Sequence, residues 1–370
     1  MRIFDTLMFD GELELLRHRL AETHDLVDAW VLVEAAHTYR GLSKELSFDT
    51  HREEFAWAMP KLRHVKLASL GSADLAPRAR SAIQRDAVML GLRDLRPDDI
   101  VLLLDADEIP SAALLHRLRR EGVTETRRLS MTRHYQYLET IGPHSPCCPD
   151  PTEPFATASP RIQPGRWDHL DSRWFGHSGV AVPGRNLLGD PERGIAPRSP
   201  FDLRFSETAS APLADAGRHF SSVDPSAQLD RKLGRVFHAE WASARALQPT
   251  HLDRCRAHGV HHRGWWYAEV PRSPLPEDLA RLSARAGLMR RPSPLPPFWR
   301  RRLVRSWAWM RLWPGWPESV VRLIDQRFEK LRLLLIAPLW AADIIRTARA
   351  SWARSRRSMT APSNTPRVHY

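Results

Sequence analysis

Cysteine is scarce in this chain: three occur in 370 residues, Cys147, Cys148 and Cys255, with no C-x-x-C pair and no ladder of spacings that would frame disulfides. A reducing compartment fits that usage. Long apolar runs are missing too. A bilayer-crossing helix needs about 18 or more apolar residues, and the nearest stretch, 333–345, is shorter and carries Asp343, so no transmembrane span is expected. The opening MRIFDTLMFDGELELL lacks the basic, apolar and small-residue blocks of a secretory leader. Several catalytic signatures are absent as well: no G-x-x-x-x-G-K-[ST] loop, no G-x-G-x-x-G after the first strand, no H-E-x-x-H and no G-x-S-x-G. Readings as a P-loop ATPase, Rossmann dehydrogenase, zincin or α/β-hydrolase therefore lose their support.

What the chain does have is 42% hydrophobic residues, enough for a substantial core. Its apolar pattern switches repeatedly between the two-residue period of strands and the 3.6-residue period of helices. Residues 3–9 are an apolar run of strand length, and 12–26 place Leu13, Leu16 and Leu20 at helical spacing. A second buried strand is expected over 29–35, ending beside Glu34, then a helical segment at 53–59 and a third strand at 62–67. Ile83, Val88 and Leu92 predict a helix over 81–95, and the turn at Pro97-Asp98-Asp99 launches five consecutive apolar residues, Ile100 to Leu104. Such a run marks a central strand covered on both faces. Another strand is expected over 128–137, with regular structure again at 217–223 and a helix over 227–242. The alternation predicts an α/β fold with a mostly parallel mixed sheet, where ligands bind beyond the carboxyl ends of strands. Glu34 and Asp105 both fall at such ends. Residues 140–200, rich in Pro, Gly and Arg with scattered Trp167, Trp174 and Phe175, read as a long excursion, and recurring prolines from 272 to 297 as a linker.

A buried strand ending in Asp105-Ala106-Asp107 presents two carboxylates to water on a fixed backbone. Mg²⁺ or Mn²⁺ prefers such oxygen ligands and commonly bridges one or two carboxylates to a diphosphate. A bare Asp-x-Asp also fits two solvated acids capping the following helix. The apolar strand before it, Glu108-Ile109-Pro110 after it and Glu34 upstream favour the metal-nucleotide reading.

These residues belong to a longer pattern. Phe4-Asp5 through Glu12-Leu13, Arg19-Leu20 with Val27-Asp28, Val33-Glu34 followed by Thr38, Gly41 and Lys44, Gln84-Arg85-Asp86, Asp105-Ala106-Asp107-Glu108-Ile109-Pro110, Asp215-Ala216-Gly217-Arg218-His219-Phe220-Ser221, Lys232 and Phe237-His238-Ala239-Glu240 follow in order and spacing. From about residue 2 to 282 the chain resembles glycosyltransferase family 17, whose best-known members are beta-1,4-mannosyl-glycoprotein beta-1,4-N-acetylglucosaminyltransferases, and looks like a member of bacterial type. The resemblance implies a GT-A-like nucleotide-sugar fold, a divalent metal, a UDP-sugar donor, N-acetylglucosamine in the known members, and inversion at the anomeric carbon. It also implies a glycan or lipid-linked acceptor. Where the family usually has Trp-His-Phe-Ser, this chain has Arg218-His219-Phe220-Ser221, a cation in place of an aromatic wall.

The roles that follow are expectations. Asp105 and Asp107 hold the metal and diphosphate, with His219 as a further metal ligand or diphosphate contact. Glu34, Thr38 and Lys44 form the nucleotide pocket, although Glu34 also fits a capping or salt-bridged acid. Arg85 meets the diphosphate as a fixed fork of donors. Inverting transfer needs a general base, usually a carboxylate; Asp215, Glu240 and Glu108 are the candidates. His251, Cys255, His258 and His262 share one helical face and form a weaker zinc alternative that Gly259 interrupts.

The formal charge is +12, and its excess is concentrated in residues 300–357. Trp299, Leu303, Trp307 and Met310 follow a helical stripe flanked by Arg300, Arg301, Arg302, Arg305 and Arg311, the profile of a helix lying among lipid headgroups. A helical appendage packed on the catalytic domain is the alternative. Leu323 to Ile345 adds a second, more apolar helix. No nucleic-acid partner is expected, since no reading module accompanies the charge. The expected layout is a glycosyltransferase domain over 1–282, a linker over 283–297, amphipathic helices over 298–357 and a disordered tail over 358–370, attached peripherally to the cytoplasmic face of a membrane. Two rivals remain: a noncatalytic carbohydrate- or membrane-binding protein on the same fold, and a metal-dependent nucleotidyltransferase.

Overall fold

The structure is a computed structural model that describes residues 1–72, 74–135, 137–141, 179–205, 212–221, 223, 248–262, 277–286, 298–312 and 317–327. Three mostly apolar segments and one of mixed polarity make the parallel half of its sheet. β1 (Ile3–Phe9), β2 (Ala29–Ala35), β3 (Leu62–Leu67) and β4 (Ile100–Asp105) lie side by side in the order β3-β2-β1-β4. Alternate residues point to opposite faces. Ile3, Leu7, Leu32, Leu102 and Leu104 pack with Leu16 and Leu20 of α1 (Leu13–Thr23) and Leu114, Leu115 and Leu118 of α4 (Ala112–Glu121). Phe4, Val31, Val33, Val101 and Leu103 pack on the other face with Val88, Leu92 and Leu203. Burial on both faces explains why β1, β2 and β4 read as mostly apolar runs rather than alternating ones, broken by Asp5 and Thr6 in β1 and Glu34 in β2.

The helix expected over 81–95 is α3 (Pro77–Asp86) followed by a 3-10 turn, Ala87–Gly91. Gly91 lies so close to β2 that a Cβ there would meet Val31 Cγ1 at 2.4 Å. The segment expected as helical at 53–59 is likewise a 3-10 helix, Arg52–Ala58, entered from α2 (Ser47–Thr50).

The second half of the sheet is mixed. β8 (Val180–Pro183) runs antiparallel to β4, β6 (Arg127–Tyr135) antiparallel to β8, β9 (Leu213–Ser221) parallel to β6, and β5 (Glu108–Pro110) antiparallel to β9. β7 (Tyr137–Ile141) pairs with the far end of β6. The described residues thus form an α/β fold with a nine-stranded mixed sheet. The end of the segment read as an excursion returns as β8, buried in the middle of that sheet and followed by α5 (Gly184–Leu188) and α6 (Pro200–Phe205). Four residues between Gly179 and Gly184 are too few to carry a period. Trp167, Trp174, Phe175, Cys147 and Cys148 lie outside the described residues, as does the helix expected over 227–242.

The proline-marked stretch also differs from expectation, because α8 (Glu277–Ala286) occupies its centre. Leu279 and Leu282 pack against Leu15, Ile109 and Phe220. Pro274 and Pro276 stand just before that helix, where proline is tolerated. Beyond α7 (Pro249–Ala257), the Trp- and Arg-rich segment forms α9 (Phe298–Arg311) and α10 (Glu318–Arg327). Leu303, Val304, Trp307 and Ala308 of α9 bury against Cys255, Val260 and Ile324, and Trp307 stacks on His251 with ring centroids 4.9 Å apart. Three of the four residues of the stripe expected to face lipid, Leu303, Trp307 and Met310, are therefore packed against protein, while Trp299 is exposed. Trp313, Trp316 and residues 333–345 lie outside the described residues. Among those described, no helix is long and apolar enough to cross a membrane.

The four residues of the zinc alternative do not converge. Cys255 Sγ lies 3.8 Å from His251 Nε2, but that nitrogen also meets the His262 carbonyl, His258 Nδ1 meets the Arg254 carbonyl, and no three of the four come together.

Candidate functional site

Asp105 is the last residue of β4 and continues the Val101–Leu103 face, so its side chain projects toward α3 and α6. Two arginines meet it there: Arg85 Nη1 of α3 lies 2.7 Å from Oδ1, and Arg204 Nη2 of α6 lies 2.8 Å from Oδ2. Arg204 also donates to Glu108 Oε1 at 3.0 Å and to the Leu103 carbonyl at 2.7 Å. Glu108 Oε2 accepts the Asp105 N–H at 2.9 Å, closing the turn on itself. A third arginine holds the turn from the opposite face. Arg19 of α1 forms a fully buried ion pair with Asp5 of β1 and donates from Nη1 to the Asp105 carbonyl at 2.7 Å.

These contacts set the charge states. Burial opposes ionisation of Asp105, but the fields of Arg204 and Arg85 outweigh it and hold the carboxyl well below the usual carboxylate range. Burial pushes Glu108 upward, with Arg204 offsetting only part of the effect. Arg204 is itself held in its charged form, against burial, by Asp105 and Glu108.

The three residues Gln84-Arg85-Asp86 each fasten one part of this arrangement. Gln84 Nε2 donates to the Val33 carbonyl at 3.1 Å, tying α3 to β2. Asp86 Oδ1 accepts the Phe201 N–H at 2.9 Å, anchoring the start of the helix that carries Arg204. Arg85, between them, is left facing Asp105, with its guanidinium 5.3 Å from the Phe205 ring.

Asp107 is brought to His219 by strand pairing. β5 and β9 set Glu108 opposite His219, the Phe220 N–H donates to the Asp107 carbonyl at 2.7 Å, and His219 Nε2 lies 3.8 Å from Asp107 Oδ1. Close approach of the strands depends on Gly217, at φ +140, where a Cβ would meet the Ile109 carbonyl at 2.1 Å. Asp215 is not part of this cluster. It is exposed, at φ 51, and its carbonyl accepts the Ser111 hydroxyl at 2.8 Å at the start of α4. Four residues of extended strand separate it from His219, on the order of 13 Å. Glu240, Lys232 and the Phe237–Glu240 segment lie outside the described residues.

On the β2 side, Glu34 is fully buried. Its oxygens accept the Ser47 N–H at 2.6 Å and the Phe48 N–H at 3.2 Å, with Lys44 Nζ at 3.6 Å and His64 Nε2 at 3.4 Å. It anchors the start of α2. Lys44 Nζ reaches Asp10 Oδ1 at 3.2 Å, at the end of β1. Thr38 Oγ1 accepts the Leu42 N–H at 3.2 Å and shapes a tight loop, with Gly41 at φ +80 lying over the Arg80 guanidinium. Tyr39, in the same loop, is pushed up to about 12 by burial and lies within the fields of Arg85, Asp105 and Asp10.

Asp105, Asp107, Arg85 and Lys44 therefore share one end of the sheet, with His219 at its β9 margin. Arg19, Tyr39, Arg133 and Arg204 carry no role in the sequence reading. Arg19 had a signal, since Asp5 is an acid inside an apolar strand and Arg19 stands beside Leu16 and Leu20 on the buried face of α1. Arg204 had none, being on a six-residue helix far along the chain.

A divalent cation is compatible with part of this set. Asp105 is committed to two guanidinium groups, and among the described residues no group of three or more His, Cys, Asp or Glu side chains could hold a metal ion together. Asp107 and His219, both partly exposed, supply a carboxylate and an imidazole, and such cations need few protein ligands when diphosphate oxygens and water complete the shell.

Comparison with known proteins bears on the same residues. The model of glycosyltransferase family 17 matches residues 1–140, a span that contains Asp5, Arg19, Glu34, Lys44, Arg85, Asp105 and Asp107 and stops short of Arg204 and His219. No curated protein matches the chain.

Proposed function

Starting from the family 17 match over residues 1–140, we propose that this chain is a metal-dependent inverting glycosyltransferase with a GT-A-like fold. It moves a sugar, N-acetylglucosamine by resemblance, from a UDP-sugar to a glycan or glycolipid acceptor. The observation that carries the reading is the Asp105–Asp107 turn at the carboxyl end of β4, where open parallel sheets bind ligands, fixed by arginines from α1, α3 and α6. Arg85 and Lys44 receive the diphosphate, and the Thr38–Leu42 loop with Tyr39 closes the nucleotide side. Glu34 supports that side from within, through α2 and Lys44. Asp107 and His219 would hold Mn²⁺ or Mg²⁺, which when bound offsets charge developing on the departing diphosphate.

Glu108 is engaged by Arg204 and the Asp105 N–H, so it serves the turn rather than the acceptor. The general base falls to Asp215 or Glu240. A membrane contact next to a lipid-linked acceptor on the cytoplasmic face, if made, uses Trp299 and the arginines near it rather than Trp307. The test is incubation of the full chain with UDP-N-acetylglucosamine, Mn²⁺ and a panel of glycan and lipid-linked acceptors, following UDP release. Acceptor-dependent release that Glu240→Gln or Asp215→Asn abolishes is expected. A folded protein that binds glycans but releases UDP from no common donor would be a binding module, and release of pyrophosphate from a nucleoside triphosphate would make it a nucleotidyltransferase.

A further inference from the structure

We propose that Arg133 is a phosphate-binding residue of this site, its guanidinium receiving a phosphate oxyanion of the bound substrates on the Asp107 side of the turn. The inference rests on the sugar-nucleotide reading above and adds a contact that neither the sequence motifs nor the family match names.

Strand register places Arg133 at the ligand end of the sheet. Val180 of β8 pairs with Leu103 on one side and Arg128 on the other, so β6 runs in the direction of β4 and is level with its end just after Arg128. Arg133 comes five residues later, beyond the carboxyl end of β4. Across the sheet it is level with His219, and His219 with Glu108. Residues aligned on paired strands project to one face. The row therefore runs from Arg133 through His219 to Glu108, with Asp107 Oδ1 3.8 Å from His219 Nε2, and the charges of Asp107 and Glu108 reach Arg133.

Arg133 is partly buried and, unlike the other arginines at the turn, has no carboxylate within ion-pair distance among the described residues. Arg19 holds Asp5 with two nitrogens and the Asp105 carbonyl with a third, and Arg204 holds two carboxylates and a carbonyl. Arg133 Nη2 donates to the Ser221 hydroxyl at 3.0 Å, while its Nε is buried with no acceptor among the described residues. Arg85 and Arg204, on the Asp105 side of the turn, also have an unmet Nε, but each is held by a carboxylate through another nitrogen. A guanidinium offers five donors in a fixed fork, and a buried charge whose donors lack acceptors is costly until an oxyanion supplies them. Phosphate fits that fork bidentately. Arg85 and Arg133 thus stand one on each side of the Asp105–Asp107 turn, Arg85 paired with Asp105 and Arg133 with a hydroxyl alone among the described residues. The oxyanion at Arg133 belongs either to the diphosphate of the donor or to a phosphate on the acceptor.

Calorimetry on the full chain with Mn²⁺ present separates these sources. The titrants are UDP, pyrophosphate, and inorganic phosphate added to UDP-saturated protein, and the proteins are wild type, Arg133→Met and Arg133→Lys. Weakening of UDP and pyrophosphate by Arg133→Met, roughly 10- to 100-fold for losing hydrogen bonds to a charged group, assigns the oxyanion to the donor. Unchanged UDP affinity with loss of phosphate binding to the UDP-saturated protein assigns it to the acceptor. Arg133→Lys keeps the charge and loses the fork, and an intermediate weakening is expected. The proposal is overturned if Arg133→Met folds and binds all three probes like wild type, or if it fails to fold while Arg133→Lys binds them like wild type. Wild type that binds pyrophosphate through Arg133 but no uridine nucleotide would sink the UDP-sugar reading and leave this residue assignment standing.

Discussion

Replacing Arg204 by methionine removes one guanidinium that serves three partners. Met fills much of the stem volume but leaves Glu108 Oε1, Asp105 Oδ2 and the Leu103 carbonyl without their donor. Breaking a buried pair by deleting one partner costs about 3–5 kcal/mol. Two features here point to the lower end, about 3 kcal/mol. Arg85 still holds Asp105 Oδ1, and Glu108, already pushed upward by burial, can take up a proton instead of staying charged. Urea unfolding followed by circular dichroism measures the loss, and at roughly 2–4 °C per kcal/mol the thermal midpoint should fall by roughly 6–12 °C. Glu108→Gln in the same background removes the stranded carboxylate, so the double variant should cost less than the sum of the singles by on the order of 1–2 kcal/mol. A loss under about 1 kcal/mol for Arg204→Met, or additivity of the two changes within about 0.5 kcal/mol, would refute this picture of the turn.

The remaining predictions concern stability. His134 is pushed down to about 4, burial being the main cause, against an ordinary value of 6.5. The unfolded chain therefore binds the extra proton first, so this stability is complete above about pH 6.5 and lost as pH falls toward 4. Roughly 2 kcal/mol should disappear between about pH 8 and pH 5, and His134→Phe should flatten that part of the profile; an unaltered slope in the variant would show that another group titrates. Deleting residues from 298 onward removes Leu303, Val304, Trp307 and Ala308 from their packing on Cys255 and Val260, at about 1.5–3 kcal/mol for each large side chain, so the truncated chain should unfold at a markedly lower temperature. Equal stability of the two lengths would mark α9 as a dispensable extension.

The parallel half of the fold was legible because it is written locally. Ile100 to Leu104 can only be a strand buried on both faces, and the register of β1, β2 and β4 carries Asp105, Glu34 and Asp10 to one edge. The mixed half is written in long-range pairing, which no local period encodes. β8 has four residues, and β5 has three and is recognisable only through β9. The same distinction divides the site. Asp105 and Asp107 stand out at the end of their strand, and Arg85 could be suspected from its neighbours, but the partner that binds Asp105 from α6 depends on how a short helix returns to the sheet. Glu34 shows the opposite case: its position was visible, and only the structure reveals that α2 takes up both of its oxygens. Trp307 illustrates the ambiguity of amphipathic helices, since a lipid surface and a neighbouring helix ask for the same stripe.

The most direct test of the site is titration of UDP into the full chain in the presence of Mn²⁺, comparing wild type with Asp107→Asn and Arg85→Met. Asp107 is preferable to Asp105 here, because Asp105 also holds three structural elements together. Saturable binding is expected for wild type, weakened at least about tenfold in each variant, as loss of a charged contact predicts, with the thermal midpoint of Asp107→Asn close to wild type. No binding of UDP to the folded wild type, or binding that both variants leave unchanged, would contradict a sugar-nucleotide site at the Asp105–Asp107 turn.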